Sequence, residues 1–144
     1  MARASEVVDL SSVWLFSRCS RAERKSIERK AKPEHVPAGT TVIEEGEAGN
    51  VFYFIVDGTA TVLRKGRKVA ELGPGQYFGE LSLLDRLPRN ATVKAATDLT
   101  LLAIGQRDFE AILKESPTTT RKLLAATASR LRSSVAKSPT VSVH

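Results

Sequence analysis

Phe78-Gly79-Glu80-Leu81-Ser82-Leu83-Leu84-Asp85-Arg86-Leu87-Pro88-Arg89-Asn90-Ala91-Thr92-Val93 passes from aromatic residues through a glycine and a carboxylate into a short apolar turn of helix. A Pro-Arg pair then leads into a β-branched run. Each part suits a segment that wraps a small anion carrying hydroxyl groups. Gly79 lets backbone approach a ligand where any Cβ would intrude. A helix starting near Glu80 begins with N–H groups that have no intrahelical partner and serve as anion donors. Arg89 offers a planar fork of N–H groups matched to phosphate oxygens. Glu80 can only accept, so it suits sugar hydroxyls and repels a bare phosphate. The combination reads as a sugar-phosphate pocket.

Upstream of this segment the residue pattern alternates in the manner of strands. Thr40-Thr41-Val42-Ile43 reads as a strand and Gly46-Glu47-Ala48-Gly49 as the loop after it. Val51 to Val56 is a strong apolar and aromatic strand, and Asp57-Gly58 reads as a hairpin turn. Thr59 to Arg64 and Arg67 to Leu72 flank a second turn at Lys65-Gly66, and Gly73-Pro74-Gly75 turns the chain into Tyr77-Phe78. Downstream, Ala91 to Ala95 and Leu99 to Ile104 supply two more strands. Many short strands with glycine-rich turns predict a β jelly-roll or barrel.

Helical chemistry flanks the strands on both sides. Val13, Trp14, Leu15 and Phe16 form an apolar cluster expected to dock on the core. Ser20-Arg21-Ala22-Glu23 is a capping box, opening a helix to about Ala31 with Ile27 inward; Lys32-Pro33-Glu34-His35 is expected to end it. After the strands, Gln106 to about Ser116 reads as a short helix. Ser116 and Pro117 are then N-cap and first residue of a helix to about Lys137, with Leu123, Leu124, Ala128, Leu131 and Val135 along one side. The fold class is therefore mainly β with flanking helices (α+β): a jelly-roll or barrel with N-terminal helices and two C-terminal helices. Residues 1–9 are expected to be a flexible N-terminus, 10–137 the domain and 138–144 a flexible tail.

The chain has 144 residues, enough for one domain with a proper core. Its charge of +6 fits nucleic acid, acidic lipid or an anionic ligand, but the basic residues are spread and lack interleaved aromatics for base stacking. Cys19 is alone, which fits a reducing cytoplasm, and no run is long enough to span a membrane. A metal-dependent jelly-roll enzyme would need a cluster of histidines with a carboxylate, whereas only His35 and His144 occur. No Ser-His-Asp or Cys-His set stands out, so neither catalysis nor a metal is expected.

The central segment closely resembles the phosphate-binding cassette of the cyclic nucleotide-binding domain family. That family includes kinase regulatory subunits, gated channels and bacterial catabolite-activator regulators. The pattern F-G-E-L-x-L-L-x-x-x-P-R-x-A-T-V is matched along its length, and the resemblance extends upstream through Val36-Pro37-Ala38-Gly39-Thr40, Gly46-Glu47-Ala48-Gly49 and Phe52 to Gly58. It covers roughly residues 10 to 137. It implies that Glu80 bonds the ribose 2′-hydroxyl and Arg89 the cyclic phosphate, with Phe78, Gly79, Leu81, Ser82, Asn90 and Ala91 lining the site. It also implies that the last helix lids the purine, with Ser134 and Val135 near adenine, and often pairs with a second subunit. An ordinary amphipathic helix covering the barrel is the other reading of that element.

Kinase-like members often carry Ala after the phosphate arginine and cGMP-preferring ones Thr; Asn90 has an amide and no hydroxyl. The expected ligand is cAMP, with cGMP second. The expected function is a regulatory sensor without catalysis, acting on an effector protein or domain beyond this chain. Too few residues follow Lys137 for a helix-turn-helix that reads DNA. A domain that keeps the fold for protein contacts and has lost its ligand is the alternative.

Overall fold

The computed structural model describes Phe16 and residues 19–136; the side chains of Leu81 and of residues 130–136 are not among those described. In chain order the elements are α1 (Arg21–Lys30), β1 (Lys32–Val36), β2 (Thr41–Ile43), β3 (Val51–Asp57), β4 (Ala60–Arg64), β5 (Arg67–Leu72) and β6 (Tyr77–Phe78). There follow α2 (Glu80–Asp85), β7 (Thr92–Ala95), β8 (Leu99–Gly105), α3 (Gln106–Glu115) and α4 (Pro117–Ala136). The strands form two antiparallel four-stranded sheets, ordered β1-β8-β3-β6 and β2-β7-β4-β5. This is the jelly-roll architecture with flanking helices that the strand pattern predicts.

Three strands of the first sheet, β3, β6 and β8, contribute buried residues to both faces, and the sequence shows why. β3 and β8 are nearly continuous apolar runs, as a strand covered on both sides requires. Ile55, Phe78, Leu99 and Leu101 face the second sheet and pack with Val62, Ala91, Val93 and Ala95 between the layers. Phe52, Phe54, Tyr77, Leu102 and Ile104 face the opposite way and pack with Ile27, Phe109, Ile112 and Leu123 of the helices. Phe16 is 1% exposed, its ring 4.8 Å from Phe54, so the end of the N-terminal apolar cluster docks on the core as expected. Residues 11–15 lie outside those described.

Three local readings are corrected by the structure. Lys32–Val36 is a strand that pairs with β8 and does more than end α1. Pro33 is tolerated because β1 is an edge strand, where one missing donor faces no neighbour. Asp57-Gly58 is no hairpin turn, since β3 and β4 lie in different sheets. Gly58, at φ +92°, carries the chain from one layer to the other. A Cβ there would lie 2.2 Å from the Asp98 carbonyl oxygen, so glycine is required. Finally, Leu123 is buried but Leu124 is 63% exposed and Ala128 is also exposed, so the inward stripe of α4 is narrower than its leucine content suggests. One residue turns a helix by about 100°, and that step carries Leu124 off the packed face.

The capping box forms as expected. Ser20 Oγ accepts from the Glu23 N–H at 3.1 Å and Glu23 Oε1 accepts from the Ser20 N–H at 2.7 Å. The Ser20 backbone contact is the main reason the Glu23 carboxyl sits below its ordinary range; a Ser116 hydroxyl adds to it. At the other helical junction Ser116 is the N-cap of α4, accepting from the Thr119 N–H at 3.2 Å.

Candidate functional site

The site is built where the short strand β6 runs out beside β3. Tyr53 pairs with Phe78 in register, and their rings stack at 5.2 Å. Beyond Phe78 the chain turns at Gly79, the N-cap of α2, with φ 91° and ψ 0°. That left-handed conformation suits glycine, and no side chain caps the first N–H groups of α2. Arg86, also left-handed at φ 62°, closes α2 with its N–H on the Ser82 carbonyl. The chain then returns to the loop between β2 and β3. There the Arg89 N–H donates to the Glu47 carbonyl and the Gly46 N–H donates to the Arg89 carbonyl, both at 2.8 Å. This reciprocal pair fixes the backbone of Arg89 before its side chain is considered.

The Arg89 side chain is only 5% exposed. Its Nη1 donates to the Gly79 carbonyl at 3.0 Å and its Nη2 to the Val51 carbonyl at 2.8 Å. The guanidinium lies in a notch left by two glycines. A Cβ on Gly49 would come within 2.2 Å of Arg89 Nε, and one on Gly79 within 2.9 Å of Nη1. Among the described residues no carboxylate pairs with it at salt-bridge distance. Burial makes Arg89 easier to deprotonate than a free arginine, an effect that Tyr53 and Glu80 only partly oppose. An arginine stays charged at neutral pH regardless. A buried cation held by neutral carbonyls has the chemistry to receive an anion.

Glu80 and Ser82 are each 1% exposed, on the first turn of α2. The solvated carboxylate and surface arginine that isolated residues would suggest are thus absent: Glu80 and Arg89 are both buried. Ser82 Oγ is buried and makes no hydrogen bond, the condition of a hydroxyl that a ligand would satisfy. Ala91 is fully buried in the core between the sheets, and Phe78 lies in the same core. These two shape the site from behind. Asn90 is half-buried and lines a cavity of about 800 Å³ together with Arg89. Leu81 contributes backbone to α2, and Ser134 lies within α4, but both side chains fall outside those described.

Several further residues at the site were not expected there from the sequence. Gly49, the Val51 carbonyl and Tyr53 gather around Arg89 and line a second, smaller cavity of about 160 Å³. Burial raises the pKa of the Tyr53 phenol, with Glu34 adding to it and Arg89 opposing. Arg64, Lys65 and Arg67, from the β4–β5 hairpin, stand on the wall of the larger cavity. Only the basic run Arg64-Lys65-Gly66-Arg67 around a turn could have drawn attention to that wall. His35, by contrast, is exposed on β1 and contacts Thr100, and no group of three metal-ligating side chains occurs among the described residues.

Comparison with known proteins identifies the fold and the family. The family model for the cyclic nucleotide-binding domain matches residues 33–116. A cyclic nucleotide-gated potassium channel of Rhizobium etli is 40% identical over 108 residues, covering 75% of this chain and 30% of the channel. A cAMP-dependent protein kinase regulatory subunit of Yarrowia lipolytica is 42% identical over 106 residues, covering 72% of this chain and 28% of that one. The chain thus spans less than a third of these relatives. Among solved structures, the Thermus thermophilus catabolite activator protein superposes with a TM-score of 0.78 at 32% identity, over 83% of this chain and 59% of that one. The N-terminal domain of a Streptomyces coelicolor transcriptional regulator gives 0.69 at 32% identity, over 87% of this chain and 93% of that one. The chain belongs to the cyclic nucleotide-binding domain family.

Proposed function

We propose that this chain is a non-catalytic sensor that binds cAMP, with cGMP the weaker ligand, and passes binding on through its C-terminal helix. The observation that carries the reading is the buried Arg89 guanidinium, oriented by the Gly79 and Val51 carbonyls and without a carboxylate of its own among the described residues. Arg89 takes the cyclic phosphate, and Glu80, as an acceptor, takes the ribose 2′-hydroxyl. Ser82 Oγ gains the partner it lacks in the protein alone. Phe78, Gly79, Leu81, Asn90 and Ala91 complete the lining, and Ser134 approaches the purine from α4. Cyclic AMP-dependent kinase regulatory subunits among the relatives support adenine as the base. The domain itself is residues 10–137.

Binding at α2 favours whichever position of α4 holds the ligand more tightly, and that difference is the signal. Exposed apolar groups on the cassette and on α4, Leu84, Leu87 and Leu124, give the moving parts something to close on, and give an effector or a second copy of the chain a surface to meet. The same leucines favour the second reading, a protein-contact module that no longer binds ligand. Titrating cAMP against the wild-type chain and Arg89→Ala separates the two. A charge-assisted hydrogen bond contributes about 1.5–3 kcal/mol, so the variant is expected to bind ten- to a few hundredfold more weakly. Equal affinity in the two proteins would refute the assignment of Arg89 to the phosphate.

A further inference from the structure

We infer that Glu45 is a positioning residue for the nucleotide: it straps the β4–β5 turn to the loop that holds Arg89 and so sets the gap between two walls of the larger cavity. This deepens the sensor reading above and rests on it, because the ligand whose fit it sets is the cyclic nucleotide.

The gap begins where strand pairing stops. The ladder between β4 and β7 runs from the Ala60–Ala95 pair to the Leu63–Thr92 pair. Past that last pair Arg64 and Lys65 continue on one side and Asn90 and Arg89 on the other, and all four line the cavity of about 800 Å³. From there on the ladder no longer sets how far apart the two sides stand.

Glu45 spans that gap. Its Oε1 accepts the Lys65 N–H at 2.9 Å, and its own N–H donates to Thr92 Oγ1 at 3.0 Å. The next two residues hold Arg89: the Gly46 N–H donates to the Arg89 carbonyl and the Glu47 carbonyl accepts the Arg89 N–H, each at 2.8 Å. Three consecutive residues therefore join the hairpin, the start of β7 and the arginine assigned to the phosphate.

The turn supplies a donor that needs such a partner. Lys65 at φ 52° and Gly66 at φ 78° are the central residues of a two-residue hairpin closed by the Arg64–Arg67 pair. The N–H of the first central residue takes no part in the turn's own i to i+3 hydrogen bond. Glu45 meets it with a charged acceptor, the stronger kind, and is half-buried, so the bond is partly shielded from water. A carboxylate on the wall of a cavity that receives a phosphate is otherwise out of place, because it can only accept and repels the ligand. Holding the hairpin gives it a task there.

The test is calorimetric titration of the full chain with cAMP, well below the melting temperature, on the wild type, Glu45→Ala and Glu45→Gln, with the cAMP dissociation rate measured on each. Glu45→Ala removes the strap and is expected to weaken binding about fivefold or more, through faster dissociation. Glu45→Gln keeps a carbonyl that accepts the Lys65 N–H and should stay within about twofold of the wild type. Wild-type affinity in Glu45→Ala would overturn the inference, whatever happened to its melting temperature. A Glu45→Gln variant as weak as Glu45→Ala would also overturn it, by assigning the effect to the negative charge and not to the acceptor. A loss carried by slower association alone would do the same, by placing Glu45 on the entry path. If the wild type binds cAMP and Glu45→Ala binds it equally well, only this inference falls. If the wild type binds none, the sensor reading falls with it.

Discussion

Two absent side chains decide where Arg89 can point. Gly49 and Gly79 leave the notch that its guanidinium fills, and the Val51 and Gly79 carbonyls fix its angle. Gly49→Ala is therefore expected to act at a distance from any ligand contact. Its Cβ would overlap Nε, break both carbonyl bonds and lower cAMP affinity about tenfold or more, with the far-ultraviolet circular dichroism unchanged. Wild-type affinity in that variant would mean that the notch does not orient Arg89. Arg89→Lys keeps the charge but replaces a planar fork with a point donor that cannot bridge two carbonyls and a phosphate together. It should bind cAMP about tenfold more weakly than wild type, by equilibrium titration. Glu80 and Arg89 were legible in the sequence because their residue types and spacing carry their chemistry. Gly49 was not, because its role depends on which side chain the fold brings to it.

Elements were legible wherever local pattern and tertiary role agree. The capping box, the apolar strands β3 and β8, and the Lys65-Gly66 turn are each specified by neighbouring residues and appear where expected. β1 was hidden because Lys32-Pro33-Glu34-His35 has no alternation, and its pairing with β8 supplies what its sequence lacks. Asp57-Gly58 misled for the same reason: a turn signal tells that the chain bends and not whether the next strand stays in the sheet. Gly58→Ala tests the crossover, since the added Cβ meets backbone, which yields far less readily than a flexible side chain. A cost of at least about 2 kcal/mol is expected in urea denaturation, combining a left-handed residue with that clash. A change below about 0.5 kcal/mol would contradict it.

Glu23 makes an element-scale prediction about acid. Its hydrogen bonds to Ser20 hold its pKa below the ordinary 4.5 in the folded chain. The charged carboxylate therefore stabilises the fold above that value, and its contribution is lost as the pH falls through the lowered one. The gap in melting temperature between wild type and Glu23→Gln should narrow between pH 7 and pH 3, going down. A constant gap would show that the charge at the cap plays no part. The Arg86–Glu110 pair at 3.1 Å joins the cassette to α3, but both side chains are exposed. Arg86→Ala should change stability by no more than about 1 kcal/mol.

At the scale of the whole molecule, one doubly covered sheet separates two cores. The inner core between the sheets holds Phe78 and Ala91 at the two ends of the cassette. The outer core joins Leu83 of α2 to Phe109, Ile112 and Leu123 of the C-terminal helices. α2 thus shares one packed core with α3 and α4. That layered arrangement could be read from strand count and turn spacing, whereas the division of β3, β6 and β8 between two cores needed the sheet order. The sensing role stands or falls on ligand binding by the intact chain. The most direct measurement is a calorimetric titration with cAMP, with cGMP run in parallel. Saturable heat with a Kd of about 1 μM or tighter for cAMP, about −8 kcal/mol or better, and weaker binding of cGMP, is the predicted result. No heat with either nucleotide, together with no shift in melting temperature, would contradict the account and leave a fold kept for protein contacts.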